Sequence, residues 1–436
     1  MKSFLDFGTK DLDLKKKFFI NFFFLLFVSV LSYAYGDLYL SKFPNFVDSN
    51  NQIIIKNFQF DYGELLYNLY NYNEYNQLKH DTTFHLLRLP LLPSFTNFLL
   101  KISLNFYVFI IIKNIIIFFI LNLSILYFTS NYDLKVKHYL FILLIFFYNP
   151  YNLHVLLNFN FADGYNALLL CIFFFMILIN NRKSIIAGSV CICLLYLSKS
   201  FLFLFCIFYP IFDYGFKFFI YKKYYNTFSK TRFFILISGT LLALLGWGTF
   251  GKINANYFPF GSNTSSYNSY ALSSMLNKDF KNYYPKKSVD LMLDDTIFDD
   301  VKFENEKDFY DFFKNKNKIY LKENLVDYIS DMKIKVNFIL FSLIKDSQFT
   351  DDSSKLRYSN FFNKPLLITS ILFSFYLFLK KKDQLSFQFL LIMILYITPL
   401  ILGWATNKHL VSIFILSKIY LFLIYVRKNQ SNFFIR

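Results

Sequence analysis

Long apolar runs punctuated by short, lysine-rich connections are the feature that most limits what this chain can become. A bilayer core takes about 20 apolar residues per helix, and a helix satisfies its own backbone hydrogen bonds where no water is available. Such runs recur from Phe18 to Val426, so the chain reads as an all-α polytopic membrane protein. Its 62 phenylalanines and 34 tyrosines in 436 residues exclude an ordinary soluble domain. AT-rich codons would also produce a Phe, Ile, Lys, Asn and Tyr excess, so that excess carries no functional weight. The net charge of +17 does not point to nucleic acid, because the lysines and arginines sit in connections between apolar runs, as sidedness in a membrane demands. Cys171, Cys191, Cys193 and Cys206 all fall inside apolar runs and suggest neither a disulfide nor a zinc site.

Span length and the rule that cytoplasmic connections are basic give a topology. Residues 1–17 form a cytoplasmic tail ending in three lysines, and a first span covers about Phe18 to Gly36. That stretch resembles a signal peptide, with small-residue sites near Ala34 and Gly36, but its length and the many later spans favour an uncleaved helix. The first outer loop covers 37–93, and residues 94–106 read as an interfacial helix feeding a span from Tyr107 to Phe128. A third span runs from Tyr139 to Leu157, and a fourth starts after Asp163-Gly164. The run from Ser184 to Ile220 is too long for one helix and breaks at Ser198-Lys199-Ser200, giving two spans joined by an outer turn. A seventh span, Phe233 to Phe250, closes the transmembrane region 18–250. Residues 251–336 form a small outer subdomain that packs on the membrane through a helix within Lys307–Lys335. The C-terminal region 337–436 opens on an apolar stretch, 337–344, that is too short to span and dips into the interface. Three spans follow, Pro365–Leu379, Leu385–Leu402 and Leu410–Val426, before a cytoplasmic tail. About ten transmembrane helices result, with both termini cytoplasmic. No internal repeat or Walker loop is present.

The first outer loop is the most chemically equipped. Asp61 and Glu64 are spaced to share one face of a short amphipathic helix, whose apolar stripe is Leu65, Leu66, Leu69 and Tyr70. His80 and His85 follow, then Arg88-Leu-Pro90-Leu-Leu-Pro93, where the prolines oppose a regular helix. The topology puts Asp163, Lys199, Lys408 and His409 on the same side, at the outer ends of spans. Charges at membrane depth are expensive, so each is a functional candidate. Acids and cations together suit a reaction in which a carboxylate activates a hydroxyl while fixed cations hold a departing phosphate. The bland alternatives are a solvated helix face for the acids, a snorkelling anchor for Arg88 and ordinary polar turns for Lys199 and Lys408. His80, Asp81 and His85 match no specific metal spacing, and a metal is unassigned.

Asp61-Tyr-Gly-Glu64 followed by Arg88-Leu-Pro90-Leu-Leu-Pro93 resembles the first outer loop of GT-C membrane glycosyltransferases. The resemblance is to the branch of the protein mannosyltransferases and lipid A aminoarabinose transferases. Asp163 at the fourth span, Lys199 after the fifth, the polar loop FGSNTSSYNSYALSSMLN after the seventh and the late pair Lys408-His409 extend it along the chain. Departures are a long approach from the first span to Asp61, which makes Asp37 a competing acid, and Arg-Leu-Pro in place of Arg-Pro-Pro. The resemblance implies an inverting transfer of a sugar from a polyprenyl-phosphate donor to a lipid, glycan or protein acceptor at the periplasmic face of a bacterial inner membrane, in glycan or lipopolysaccharide biosynthesis. Asp61 and Glu64 would then be catalytic, and Arg88, Lys199, Lys408 and His409 would contact the donor phosphate. Asp37, His85 and Asp163 are further candidates, and the family leaves a divalent metal open. A transporter or flippase for a lipid-linked or small solute is the alternative reading. Against an O-antigen polymerase or ligase stands the lack of arginine in 251–336.

Overall fold

The computed structural model describes residues 2–58, 62–79, 82–86, 88–160, 162–220, 227–262, 303–323, 325–340, 363–402 and 407–429. Fifteen helices are described: α1 Lys2–Lys42, α2 Tyr62–Tyr72, α3 Leu91–Ile102, α4 Phe106–Asn131, α5 Val136–Phe147, α6 Pro150–Leu157, α7 Ala162–Ile179, α8 Arg182–Tyr196, α9 Leu202–Ile220, α10 Thr227–Ala255, α11 Glu306–Glu323, α12 Leu325–Leu340, α13 Asn363–Lys381, α14 Gln384–Leu402 and α15 Asn407–Asn429. Seven of them contain a stretch long and apolar enough to cross a membrane: α1, α4, α7, α9, α10, α14 and α15. α5 and α6 together pass the same test as one broken span. The protein is therefore an all-α integral membrane protein, with one small hairpin among the described residues, β1 Gln77–Lys79 against β2 Thr82–Phe84, paired antiparallel.

α7 is the hub. It packs against α4, α6, α8, α14 and α15, and nearly every one of its side chains is buried, so its all-round apolar composition is that of a core helix. α1 lies at the periphery, where Phe18, Phe19, Phe22, Phe23, Leu26 and Phe27 are exposed along one side. An apolar face of that kind belongs in lipid. The end of α7 far from Asp163 is closed by an ionic network. Asp213 of α9 accepts from Arg232 Nε at 2.8 Å and Gln388 Nε2 at 2.7 Å, and Arg232 Nη1 donates to Ile177 O at 3.1 Å. The buried Asp213 carboxylate is thus paired with the Arg232 guanidinium, as a charge within an apolar bundle requires.

Several sequence expectations change. The span expected as one helix, Tyr139–Leu157, bends by 82° between α5 and α6. Pro150 holds the preceding Asn149 extended, and the Asn149 side chain caps α6 by accepting from Tyr151 N and Asn152 N at 2.9 and 3.1 Å. α1 does not stop at Gly36 but carries Asp37 within the helix to Lys42. Pro93 does not break the chain; it sits in the first turn of α3, where an N–H would have no helical acceptor. The interfacial helix thus starts at Leu91, and residues 103–105 separate it from α4. The break at Lys199 occurs as expected, between α8 and α9. The helix expected in Lys307–Lys335 is two helices, α11 and α12, and of the stretch 337–344 only 337–340 is described, as the end of α12.

Candidate functional site at one end of the bundle

Asp163 lies in the first turn of α7 and is buried. Lys199, in the turn between α8 and α9, places Nζ 2.8 Å from Asp163 Oδ1 and 3.0 Å from Oδ2. The same ammonium lies 3.1 Å from His409 Nε2, in the first turn of α15. An ammonium only donates, so this contact is a hydrogen bond when Nε2 carries the lone pair and the proton sits on Nδ1. His409 Nε2 is 3.6 Å from Asp163 Oδ1, beyond hydrogen-bond reach. The ring packs against Phe201 at 5.3 Å, and the Tyr396 hydroxyl donates to the His409 backbone carbonyl at 2.9 Å. Lys408, also buried, is within electrostatic reach of Asp163. Two lysines and a histidine therefore converge on one carboxylate. A helix N-terminus is itself electropositive, so placing Lys408 and His409 there strengthens the potential for an anion.

The segment that follows Arg88 packs beside this cluster. Leu91 N donates to Leu197 O at 3.1 Å, which joins the end of the Arg88-Leu-Pro segment to the turn that carries Lys199. Leu92 packs with Ala162 and Tyr165 on either side of Asp163, and Tyr62 joins that cluster. The Arg88 guanidinium lies 5.2 Å from the Tyr62 ring centroid, and the Arg88 carbonyl accepts from Tyr75 OH at 2.9 Å. The start of the polar loop after α10 arrives at the same place. Ser262 N donates to Ser200 Oγ at 3.1 Å, and Trp247 Nε1 donates to Gly261 O at 3.0 Å. The rest of FGSNTSSYNSYALSSMLN, from Asn263 on, lies outside the described residues.

The remaining sequence candidates separate. Asp61, His80 and Asp81 lie outside the described residues, so the shared face of Asp61 and Glu64 is not described. Glu64 sits exposed in the first turn of α2 and accepts from Leu78 N at 3.0 Å, tying that helix to the hairpin. Gly63 between them is required by space: a Cβ there would stand 2.2 Å from Lys56 O. His85 is half-buried, with Nδ1 3.3 Å from Tyr75 O, and burial lowers its pKa. Asp37 is exposed and accepts from Tyr107 OH at 2.7 Å, on the α1–α4 flank. Among the described residues no group of three or more His, Cys, Asp or Glu side chains is placed to hold a metal ion.

Two residues escaped the sequence reading. Glu306, the first residue of α11, is buried and accepts from His85 N and Leu86 N, both at 2.8 Å. With Thr82 Oγ1 donating to Phe303 O at 2.7 Å, it clamps the start of α11 onto residues 82–86. Nothing in the sequence marks its partners, which lie some 220 residues away. Lys113 of α4 is fully buried, and here a signal was available: a lysine inside a long apolar run. No family model, no curated protein and no solved structure matches the chain.

Proposed function

We propose that this protein is a GT-C-like membrane glycosyltransferase that moves a sugar, with inversion, from a polyprenyl-phosphate donor to a lipid, glycan or protein acceptor at the periplasmic face of a bacterial inner membrane. The observation that carries the reading is the convergence of Lys199, Lys408 and His409 on Asp163 at a bundle end beside the segment that follows Arg88. Asp163 holds Lys199 as a fixed cation rather than a proton acceptor. Lys199, Lys408, His409 and Arg88 would bind the donor phosphate and stabilise its charge as the glycosidic bond to it breaks. The acceptor hydroxyl loses its proton to a carboxylate as it attacks, and Asp61, supported by Glu64, takes that role. The sugar passes to the acceptor oxygen, and polyprenyl phosphate leaves.

The test is transfer of radiolabelled sugar from a panel of polyprenyl-phosphate sugars in membranes carrying wild type, Asp61→Asn, Asp37→Asn or Lys199→Met. Wild type is expected to transfer, Asp61→Asn to lose transfer, and Lys199→Met to lower kcat/KM by about 10²-fold. Retained activity in Asp61→Asn with loss in Asp37→Asn would move the catalytic acid to Asp37. The broken span α5–α6 favours the transporter alternative, since transporters build sites from discontinuous helices. Solute flux without transfer from any donor would establish that alternative.

A further inference from the structure

Lys113 is an ammonium buried among apolar helices, at a depth where charge is costly. Its three donors meet three successive carbonyls: Leu156 O at 3.3 Å, Leu157 O at 3.1 Å and Asn158 O at 3.3 Å. These are the last two carbonyls of α6 and that of its C-cap, Asn158, which have no acceptor role left within the helix and carry its negative end. The ammonium also lies 5.2 Å from the Tyr165 ring, in the first turn of α7. Between α6 and α7 the chain reverses in a few residues, with Asn158 Oδ1 accepting from Asn160 N at 2.8 Å. The two helices touch backbone to backbone at this reversal, since a Cβ on Gly164 would stand 2.6 Å from Val155 O. Asp163 is the residue just before that contact.

We propose that Lys113 is a positioning residue: by holding the end of α6 it sets where the α6–α7 reversal delivers the Asp163 carboxylate to Lys199 and His409. A cap needed only for helix stability would serve α6 alone. Lys113 instead bridges α6 and Tyr165, the two sides of the reversal, and Asp163 lies between them in the chain. The effect on sugar transfer rests on the transferase reading; the effect on the cluster's geometry does not.

The experiment therefore reads the cluster without a donor. Full-length protein labelled with 15N-histidine is placed in lipid bilayers, and the His409 ring signal is assigned by its loss in His409→Gln. Lys113→Met removes all three hydrogen bonds, Lys113→Gln keeps neutral donors, and Lys113→Arg keeps the charge. Lys113→Met is expected to shift the His409 signal while thermal unfolding remains cooperative, with Lys113→Arg restoring part of the shift. His409 signals unchanged in folded Lys113→Met overturn the proposal. If Lys113→Met does not fold, Lys113→Gln decides, because its amide has two donors on a shorter side chain and cannot hold all three carbonyls: a shifted His409 signal supports positioning, and a wild-type signal overturns it. A shifted His409 signal in Lys113→Met, together with a wild type that transfers no sugar, leaves the positioning role standing and sinks the transferase reading alone.

Discussion

His85 shows how one side chain couples the cap to pH. Its ring is half-buried beside Tyr75, and burial holds its pKa below the ordinary histidine value, opposed by the hydrogen bond to the Tyr75 carbonyl and by Glu74. The sign follows from proton uptake. Between the lowered value and the ordinary one, the undocked loop binds more protons than the docked loop, so docking gains stability as pH rises through that window. The contribution is complete above the ordinary value and is lost as pH falls through the lowered one. Hydrogen exchange at residues 82–86 is expected to accelerate relative to the rest of the protein on acidification from about pH 7 to about pH 5. His85→Gln should remove that pH dependence; an unchanged profile in the variant would assign it to another group. Tyr75 is buried enough that its hydroxyl is pushed well above the ordinary value, so it stays a donor to Arg88 O throughout this range.

The broken span is the element on which most of the site depends. α5 ends, the chain turns through 82°, and α6 runs to the carbonyls held by Lys113 before α7 begins, with Asp163 in its first turn. The turn is set by Asn149, whose side chain satisfies two N–H groups that the new helix would otherwise leave bare in an apolar setting. Asn149→Ala is expected to cost about 1–2 kcal/mol, read as a lower midpoint in thermal or denaturant unfolding of the purified protein. Asn149→Asp or Asn149→Ser, which can still accept, should recover most of it. An alanine variant as stable as wild type would show that the bend is held by packing alone. The α2 helix is placed by a comparable local necessity, the close approach of Gly63 to the Ile55–Asn57 turn.

At the scale of the molecule, the question is which way the two ends face. The proposed sidedness puts the first loop and the Asp163–Lys199–His409 cluster outside, and the Asp213–Arg232 network with the Lys380–Lys382 turn inside. The native cysteines give little background, since Cys171, Cys191 and Cys206 are buried. A membrane-impermeant thiol reagent applied to spheroplasts is therefore expected to label Tyr72→Cys and to spare Lys381→Cys, both exposed positions, until the membrane is opened. The reverse pattern would invert the topology and remove the periplasmic reaction. The apolar runs by themselves determined that the chain is helical and membrane-bound, and the lysine between two serines at Ser198–Ser200 was enough to place a turn there. Those features are local, because span length and chain breaks depend on a few consecutive residues. The 82° bend was half legible in Asn149-Pro150, since a proline permits a helix start without fixing its direction. Asp163, Lys199 and His409 could each be suspected from charge at the end of a span, but that one ammonium would bridge the other two could not. Neither could the grip of Lys113 on α6 nor the clamp of Glu306 on the first loop. Such contacts join residues tens to hundreds of positions apart, and their distances are set by how the helices pack around α7, which only the tertiary structure decides.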